Sequence, residues 1–420
     1  MAPITVREFR ERAEEFLATN ADRKPPRESF VWGEGADDPA LFEETDREAE
    51  KLALEAACGW RAKRFQAGFG YITGKEIFGG AGLTKAHETA YEIAESRYRI
   101  PDQSFFTIGL GMVAPTIAAH ATPTAAADLL PKMYRGEILG AQLFSEPSAG
   151  SDLASLQMKA EKDGDEWVVS GQKVWTSGAH YSHIGEVICR TDPTLPKHRG
   201  LTGFIVDLTD AAVEIRPLRQ MTGGANFNEV FFNELRVPDH MRLGEVNDGW
   251  RVALTTLMNE RAAIGSGGRA GSSVFSKLSA MAKHYGVSDD HCIRQELADL
   301  YIRGKVLKMN NQRAMAKIKA GELPGAEMSG AKLALTDMMR RSSALASSIL
   351  GAKLVADTGE WGTFSWSSYV NGVPGMSIAG GTDEVLRNII GERVLGLPKE
   401  PGIDTTSPVS ELRVGTQRSV

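Results

Sequence analysis

The sequence predicts a mainly α-helical protein with a central β-domain, because three patterns follow one another along the chain. Apolar residues recur at helical spacing through the first third of its 420 residues. Short β-rich runs between turn residues begin near Leu143, and helical spacing returns from Gly249. We therefore predict a helical domain over residues 1–140, a β-barrel or sandwich domain over 141–246, a second helical domain over 247–400 and a polar tail over 401–420.

The N-terminal helices follow from capping signals and apolar spacing. Thr5 and Glu8 fit a capping box, and an apolar stripe that includes Phe9 and Leu17 lies behind it. A charged amphipathic run covers residues 43–65 and ends at a glycine cluster between residues 74 and 82. Helical patterns resume at residues 84–98 and 125–134.

The middle of the chain contains six short β-rich runs. Several such strands at this spacing predict a small barrel or sandwich. Ser170 and Gly171, between the first two runs, suit a tight hairpin turn. The runs cover residues 166–169, 173–175, 186–189, 203–206, 213–215 and 229–232.

The C-terminal third returns to helical patterns. Trp250, Leu254 and Leu257 lie on one face of a helix that runs into Arg261. Further helices are predicted at residues 295–320 and 328–354, and a short one follows a Gly/Ser/Trp-rich passage. The order has two explanations: one helical domain split around a β insertion, or two unrelated helical domains.

Composition excludes several classes of function. A net charge of −6 and a pI near 5.9 give nucleic-acid binding no general support. The three cysteines show no metal-binding spacing, and His180 and His183 have no third ligand nearby, so we predict a reduced protein without a metal site. No window reaches the ~18 apolar residues of a membrane helix, and the N-terminus does not resemble a signal peptide. We expect a cytoplasmic protein without membrane insertion.

The loop at residues 144–152 reads F-S-E-P-S-A-G-S-D. Its small residues leave backbone N–H groups accessible and its serines add donors, which suits a polar cofactor or a pyrophosphate. Composition alone favours an ordinary loop. The order of its residues, however, resembles the S/T-E-P-x-A-G-S-D signature of the acyl-CoA dehydrogenase family.

The resemblance extends over nearly the whole chain. Residues 171–177, G-Q-K-V-W-T-S, are similar to that family's G-x-K-x-W-I/T-S/T segment. Residues 380–387, G-G-T-D-E-V-L-R, are similar to its x-G-T-x-E-I-x-R turn, and residues 74–82 resemble a family glycine turn less closely. Matching segments occur in the family's order at residues 190–192, 203–206, 227–232, 236–238, 244–245 and 249–250.

The resemblance implies a fold, a cofactor and a reaction. The fold is an N-terminal helical domain, a middle β-domain and a C-terminal four-helix bundle, with FAD between the β-domain and the helices. The reaction is α,β-dehydrogenation of an acyl-CoA to the trans-2-enoyl-CoA. Electron-transfer flavoprotein is the implied electron acceptor, and the implied assembly is a homodimer or homotetramer. Two alternatives remain: a flavin oxidase or monooxygenase on the same fold, or one subunit of a heteromeric acyl-CoA dehydrogenase.

Family roles carry over by position to the cofactor-binding residues. Trp175 is implied to lie against the isoalloxazine and Ser177 to donate near N5, whereas Trp175 taken alone suggests a buried strand tryptophan. Gly150 and Ser151 are implied at the FAD diphosphate or at the substrate thioester. The pyrimidine edge is assigned to Phe144 and Ser145, and the adenosine-diphosphate half to Thr382 and Glu384, although Glu384 alternatively caps the last helix.

The implied base is Glu260. Family members place a carboxylate either just before the C-terminal Gly-Thr or on the first C-terminal helix, before an arginine. Here the first position is Gly380, which cannot act as a base, and the second is Glu260 followed by Arg261. Burial near the cofactor is expected to raise the pKa of such a carboxylate. Arg261 is either structural or a ligand of the substrate's pantetheine, and Gly380 reshapes the acyl pocket.

Two segments depart from the family pattern. Residues 282–289 lack the arginine that usually grips the FAD diphosphate of the neighbouring subunit, and residues 348–352 alter a Q-x-L-G-G segment. Three explanations remain: FAD is held differently, the chain pairs with a different subunit, or FAD has been lost. The presence of Trp175, Ser177 and Glu260 argues against loss.

Overall fold

A computed structural model of the chain describes residues 4–25, 30–35, 37, 39, 41, 46–265, 270–319, 329–399 and 405–412. The predicted fold class is confirmed, because helices precede and follow a central sheet. The helices are α1 (Val6–Asn20), α2 (Arg47–Gln66), α3 (Lys85–Glu95), α4 (Ala114–His120), α5 (Pro123–Arg135), α6 (Gly249–Gly265), α7 (Ala270–His284), α8 (His291–Lys319), α9 (Ser329–Leu350), α10 (Trp366–Ile378) and α11 (Asp383–Arg393).

The first helix begins as its sequence predicts. The Glu8 amide donates to Thr5 Oγ1 at 3.3 Å, and the Thr5 amide donates to Glu8 Oε2 at 2.9 Å, which completes the capping box. Phe9 and Leu17 are buried in a cluster shared with α3. Further along, a π-helical turn at Gly109–Val113 leads directly into α4.

The β-domain is one eight-stranded mixed sheet within the described residues. Its strands run in the order β6-β7-β3-β2-β4-β5-β8, and β1 pairs in parallel with β4. Alternation of buried and exposed side chains along β7 accounts for its two faces. The strands are β1 (Gly140–Leu143), β2 (Lys159–Asp163), β3 (Glu166–Ser177), β4 (Ile184–Arg190), β5 (Leu201–Asp207), β6 (Val213–Leu218), β7 (Phe227–Pro238) and β8 (Arg242–Leu243).

The hairpin predicted at Ser170 and Gly171 is wrong. The two runs on either side belong to one continuous strand, β3, and the turn lies earlier, between β2 and β3. Gly171 has a φ of 145° and sits at a register shift between β3 and β7. It therefore forms a bulge, where an extra residue bends a strand without ending it.

Helix α6 is fixed against the sheet at its first residue. A Cβ on Gly249 would lie 2.7 Å from backbone atoms of Leu201 and Thr202, so only glycine permits this approach to β5. Val252 and Ala253 then enter an apolar cluster that also contains residues of α4, α5 and β4. This cluster joins the N-terminal helices, the sheet and α6.

The C-terminal helices enclose a separate core. Leu278 of α7, Leu300 of α8 and Leu345 of α9 pack with Trp366 and Tyr369 of α10. Helix α10 occupies the Gly/Ser/Trp-rich passage, which sequence reasoning did not assign to a helix. None of the helices in the described residues is both long and apolar enough to span a membrane.

The described part of the polar tail packs against the β-domain. The Val409 amide donates to the Leu195 carbonyl at 3.1 Å, and the Ser410 amide donates to the Pro193 carbonyl at 3.0 Å. Val409 itself is buried. Residues 405–412 thus line the loop between β4 and β5.

Candidate functional site

The loop after β1 is held by a buried ion pair. Lys173 of β3 is inaccessible to solvent and lies 2.8 Å from Glu146 Oε1. Its ammonium also donates to the carbonyls of Phe144 at 3.0 Å and Ile188 at 2.9 Å. Glu146 further accepts the amides of Gln157 and Met158, so its carboxylate is satisfied in the interior. The pair therefore fixes the backbone of Phe144 and Ser145.

Glu146 and Lys173 lie within the two sequence motifs, but the motifs alone predicted no role for either residue. The available signal was a lysine among the apolar residues of a β-rich run, where a charged side chain needs a buried partner.

Trp175 has an unusual backbone conformation. Its φ is 61°, and the pairing of β3 with β7 shifts register between Lys173 and Thr176. A positive φ is rare for a bulky residue, and such strain is concentrated at functional sites. The side chain is 59% exposed and meets the Phe227 ring edge-on, with centroids 6.1 Å apart. Trp175 is therefore not a buried strand tryptophan.

Three further candidate residues lie beside Trp175. The Val174 amide donates to the Ser145 carbonyl at 2.9 Å, which places the Phe144–Ser145 backbone along β3. Ser177 ends β3 and pairs with Phe227 of β7. The structure thus brings Phe144, Ser145, Trp175 and Ser177 together at one end of the sheet.

A buried amide supports the strand beneath Trp175. Asn228 of β7 donates through Nδ2 to the Thr176 carbonyl at 3.0 Å and contacts His180 Nδ1 at 3.2 Å. His180 Nε2 lies 3.1 Å from Glu50 Oε2 of α2. Burial lowers the pKa of His180, although Glu50 opposes that effect. Arg47 also contacts His180 Nε2, so the ring connects α2 to the Asn228 side chain.

Gly150 and Ser151 belong to the same loop as Phe144. Gly150 and Ser151 are both exposed. The next residue, Asp152, is fixed by Lys197 at 2.7 Å and by the Ser155 hydroxyl at 2.6 Å. Burial raises the pKa of Asp152, but these two hydrogen bonds outweigh it and the pKa lies below its ordinary value.

Glu260 lies on α6, one turn after Thr256, and is partly buried. Thr256 is inaccessible to solvent, and its hydroxyl is hydrogen-bonded to Glu186 of β4 at 2.6 Å. Residues four apart share a helix face, so Glu260 continues the side of α6 that meets the sheet. The Arg261 side chain lies outside the described part of the chain.

The Gly380–Thr382 turn is held by α9. Gly380 and Gly381 have φ values of 62° and 87°. Lys332 of α9 donates to the Gly381 carbonyl at 3.0 Å and pairs with Asp383 at 2.8 Å, an anchor that sequence reasoning missed. Thr382 Oγ1 accepts the Val385 amide at 3.2 Å and caps α11. The alternative that Glu384 caps this helix is wrong, because Glu384 is exposed and faces Arg387.

The segment that lacks the family arginine is occupied within the chain. His284 stacks on Trp32 with centroids 5.4 Å apart. Tyr285 donates to Glu360 at 2.8 Å, and Glu360 pairs with Lys353 at 2.7 Å. The end of α7 thus packs against an N-terminal segment and the loop before α10.

The cluster at the end of the sheet fits a planar, polar-edged cofactor. Trp175 offers an exposed aromatic face, Ser177 a hydroxyl, and Phe144 and Ser145 a fixed backbone. Thr176 Oγ1 and Asn228 Oδ1 are buried beside it without a hydrogen-bond partner among the described residues. The described residues contain no group of three or more His, Cys, Asp or Glu side chains placed to hold a metal ion.

Comparisons with known proteins identify the same two domains of one family. The family model described as the acyl-CoA dehydrogenase middle domain matches residues 141–235. The model described as the acyl-CoA dehydrogenase C-terminal domain matches residues 247–395.

Two curated relatives come from Mycobacterium tuberculosis. The chain is 39% identical to acyl-CoA dehydrogenase FadE34 over 312 residues, which are 73% of this chain but only 42% of FadE34. It is 36% identical to acyl-CoA dehydrogenase IpdE1 over 355 residues, 84% of this chain and 90% of that protein.

Solved structures of two complexes resemble the chain over nearly its full length. The structure described as the Tcur3481-Tcur3483 steroid ACAD matches with a TM-score of 0.72 and 25% identity, covering 95% of this chain and 99% of that one. The ChsE4-ChsE5 complex from Mycobacterium tuberculosis matches with a TM-score of 0.70 and 25% identity, covering 95% of this chain and 100% of that one.

Proposed function

Because this chain belongs to the acyl-CoA dehydrogenase family and is an oxidoreductase of that kind, we propose that Glu260 removes the α-proton of its acyl-CoA substrate. Bound FAD supplies the acceptor for the β-hydride at N5, and the product is the trans-2-enoyl-CoA. A Glu260 carboxylate oxygen takes the proton as the hydride leaves.

The contrast between Gly380 and Glu260 carries this proposal. Gly380 has no side chain, so the C-terminal turn offers no base at that position. Glu260 is supported by its place on α6, on the face that meets β4 through Thr256.

The FAD-binding proposal rests on the residues around Trp175. We assign the isoalloxazine face to Trp175 and the N5 edge to Ser177. Phe144 and Ser145 are assigned to the pyrimidine edge, because the Lys173–Glu146 pair holds their backbone. The remaining assignments are Gly150 and Ser151 to the diphosphate or thioester, Thr382 and Glu384 to the adenosine-diphosphate half, and Arg261 to the pantetheine.

We propose a bulky acyl group as the substrate class. Gly380, with a φ of 62°, leaves the acyl pocket free of a side chain at the turn. The similar Tcur3481-Tcur3483 structure is described as a steroid ACAD, which supports a fused-ring acyl chain. A panel of straight-chain, branched and steroid-derived acyl-CoAs tests this class by anaerobic loss of flavin absorbance.

A heteromeric assembly is the second candidate, with this chain as one of two kinds of subunit. It is favoured by residues 282–289, where His284 and Tyr285 are engaged with Trp32 and Glu360 and no arginine is present. The similar ChsE4-ChsE5 structure is itself a complex of two named proteins. If the chain forms a homodimer or homotetramer, the chain purified alone should bind FAD and be yellow. If the assembly is heteromeric, the chain should gain FAD only on co-expression with its partner chain.

We further propose that electrons pass to electron-transfer flavoprotein. We also propose domain boundaries after residues 140, 246 and 400. The family-model matches at 141–235 and 247–395 support the first two boundaries. Substrate-reduced enzyme that reoxidises rapidly in oxygen without electron-transfer flavoprotein would instead indicate a flavin oxidase or monooxygenase.

A further inference from the structure

Glu186 is a carboxyl group buried inside an apolar cluster. It lies on β4 with 0% exposure, and its neighbours on the strand, Ile184 and Ile188, belong to the cluster that joins α4, β4 and α6. Its Oε1 contacts the Thr256 hydroxyl at 2.6 Å. Its Oε2 is buried with no hydrogen-bond partner in the described part of the chain. A charged carboxylate with one partner is very unfavourable in such a place.

A count of protons shows which form of Glu186 fits. Three short contacts form a row: Thr116 Oγ1 to the Met112 carbonyl at 2.9 Å, Thr116 Oγ1 to Thr256 Oγ1 at 2.8 Å, and Thr256 Oγ1 to Glu186 at 2.6 Å. The two hydroxyls supply only two protons. A neutral Glu186 supplies the third, so that it donates to Thr256, Thr256 donates to Thr116, and Thr116 donates to Met112. The Val252 carbonyl, at 3.4 Å, is the more distant acceptor for Thr256.

Among the side chains that the structure describes around it, none offers a charge that would keep Glu186 ionised. Burial raises its pKa to about 8, and the Thr256 hydroxyl opposes this only in part. The charged groups described on the elements packed against it are His120 on α4, Arg251 and Glu260 on α6, Arg190 on β4 and the exposed Asp207 on β5. His120 bonds Thr255, Arg251 bonds Asp248 and Arg190 bonds backbone carbonyls.

The row connects three elements to the helix that carries the proposed base. Thr116 belongs to α4, Met112 to the π-helical turn before it, and Glu186 to β4. Thr116 and Glu186 contact Thr256 directly, and Met112 acts through Thr116. Thr256 precedes Glu260 by one turn on the same face of α6. Rotation or sliding of α6 would break these hydrogen bonds and would at the same time move Glu260.

We propose that Glu186 is a positioning residue that, as a neutral carboxylic acid, donates to Thr256 and holds α6 in the rotation that presents Glu260 to the substrate. This inference rests on the proposed function of Glu260. Displacement of a catalytic group by about 1 Å costs up to about 100-fold in rate. We therefore expect Glu186→Leu to lower kcat on the order of 10-fold with little change in KM.

The conservative variant Glu186→Gln distinguishes positioning from general packing. Its amide N–H₂ still donates to Thr256 but cannot ionise, so it should retain most of the kcat at pH 7 and extend activity to higher pH than the parent enzyme. Thr256→Val, which removes the same bond from α6, should resemble Glu186→Leu. The double variant should lose no more than either single variant. Equal alkaline limits for the parent and Glu186→Gln would overturn the proposal.

A measurement on the holoenzyme without substrate separates this inference from the role of Glu260. Infrared difference spectra between the parent and Glu186→Gln should show the carbonyl stretch of a protonated carboxylic acid at pH 7. That band should be present in Glu260→Gln as well. Its absence overturns the neutral Glu186 even where Glu260→Gln is inactive. Its presence together with an active Glu260→Gln overturns the base assignment and, with it, the positioning role.

Discussion

Lys173→Met should destabilise both the β-domain and the proposed flavin site. Lys173 donates to Glu146 at 2.8 Å, to Ile188 at 2.9 Å and to Phe144 at 3.0 Å, and its side chain is inaccessible to solvent. Methionine retains most of the apolar stem, so the loss falls mainly on these polar contacts. Removing one partner of a buried ion pair costs about 3–5 kcal/mol, and we expect a loss of this size in the free energy of unfolding.

Equilibrium urea unfolding measures this loss, and FAD titration measures its effect on the loop. The matched control is Lys159→Met on the adjacent strand β2, where the pair with Glu161 is solvent-exposed and should contribute less than about 1 kcal/mol. Adding Glu146→Gln to Lys173→Met should recover about 1–3 kcal/mol, because the unpaired buried charge is removed. The affinity for FAD should fall because Phe144 is released. A loss in Lys173→Met no larger than in the control would refute the reasoning.

Three further variants test other parts of the structure. Trp175→Ala should weaken FAD binding by about 1 kcal/mol or more, which is roughly 5–10-fold in the Kd measured by flavin fluorescence titration. Trp175→Phe should retain more affinity than Trp175→Ala. Equal Kd values for Trp175→Ala and the parent would show that Trp175 is not part of the FAD site. Thr382→Ala removes the N-cap of α11 and should lower the free energy of unfolding by about 1 kcal/mol, whereas Thr382→Ser should not. Equal melting temperatures for the two variants would contradict the capping role of Thr382. The lowered pKa of Asp152 stabilises the fold above its ordinary value of 3.8, and this contribution is lost as pH falls through the lowered value. Lys197→Met should therefore begin acid unfolding at a higher pH, and an unshifted acid limb by circular dichroism would contradict that.

The fold class was predictable because its signals are local. The capping box of Thr5 and Glu8 and the apolar spacing of α6 specify helices without reference to the rest of the chain. Ser170 and Gly171 were assigned wrongly because glycine with a positive φ serves bulges as well as turns, and only the pairing of β3 with β7 distinguishes them.

The residues that hold the candidate site in place were harder to predict from the sequence. Glu146, Glu186 and Lys332 are ordinary charged residues in the sequence, and their partners lie 27, 70 and 51 positions away in Lys173, Thr256 and Asp383. Burial, which makes those contacts energetically important, is a property of the packed chain. Trp175 was found through its motif, yet its exposure depends on a backbone strain that no spacing rule reports.

The most direct test of α-proton removal by Glu260 is anaerobic stopped-flow reduction of the bound flavin by an acyl-CoA that bleaches the parent enzyme. Glu260→Gln should keep the FAD absorbance spectrum but reduce at a rate lower by about 100-fold to 10,000-fold, the usual contribution of a general base. Glu245→Gln, which changes an exposed carboxylate just before α6, should reduce at the parental rate. Flavin reduction in Glu260→Gln at the parental rate would contradict the account.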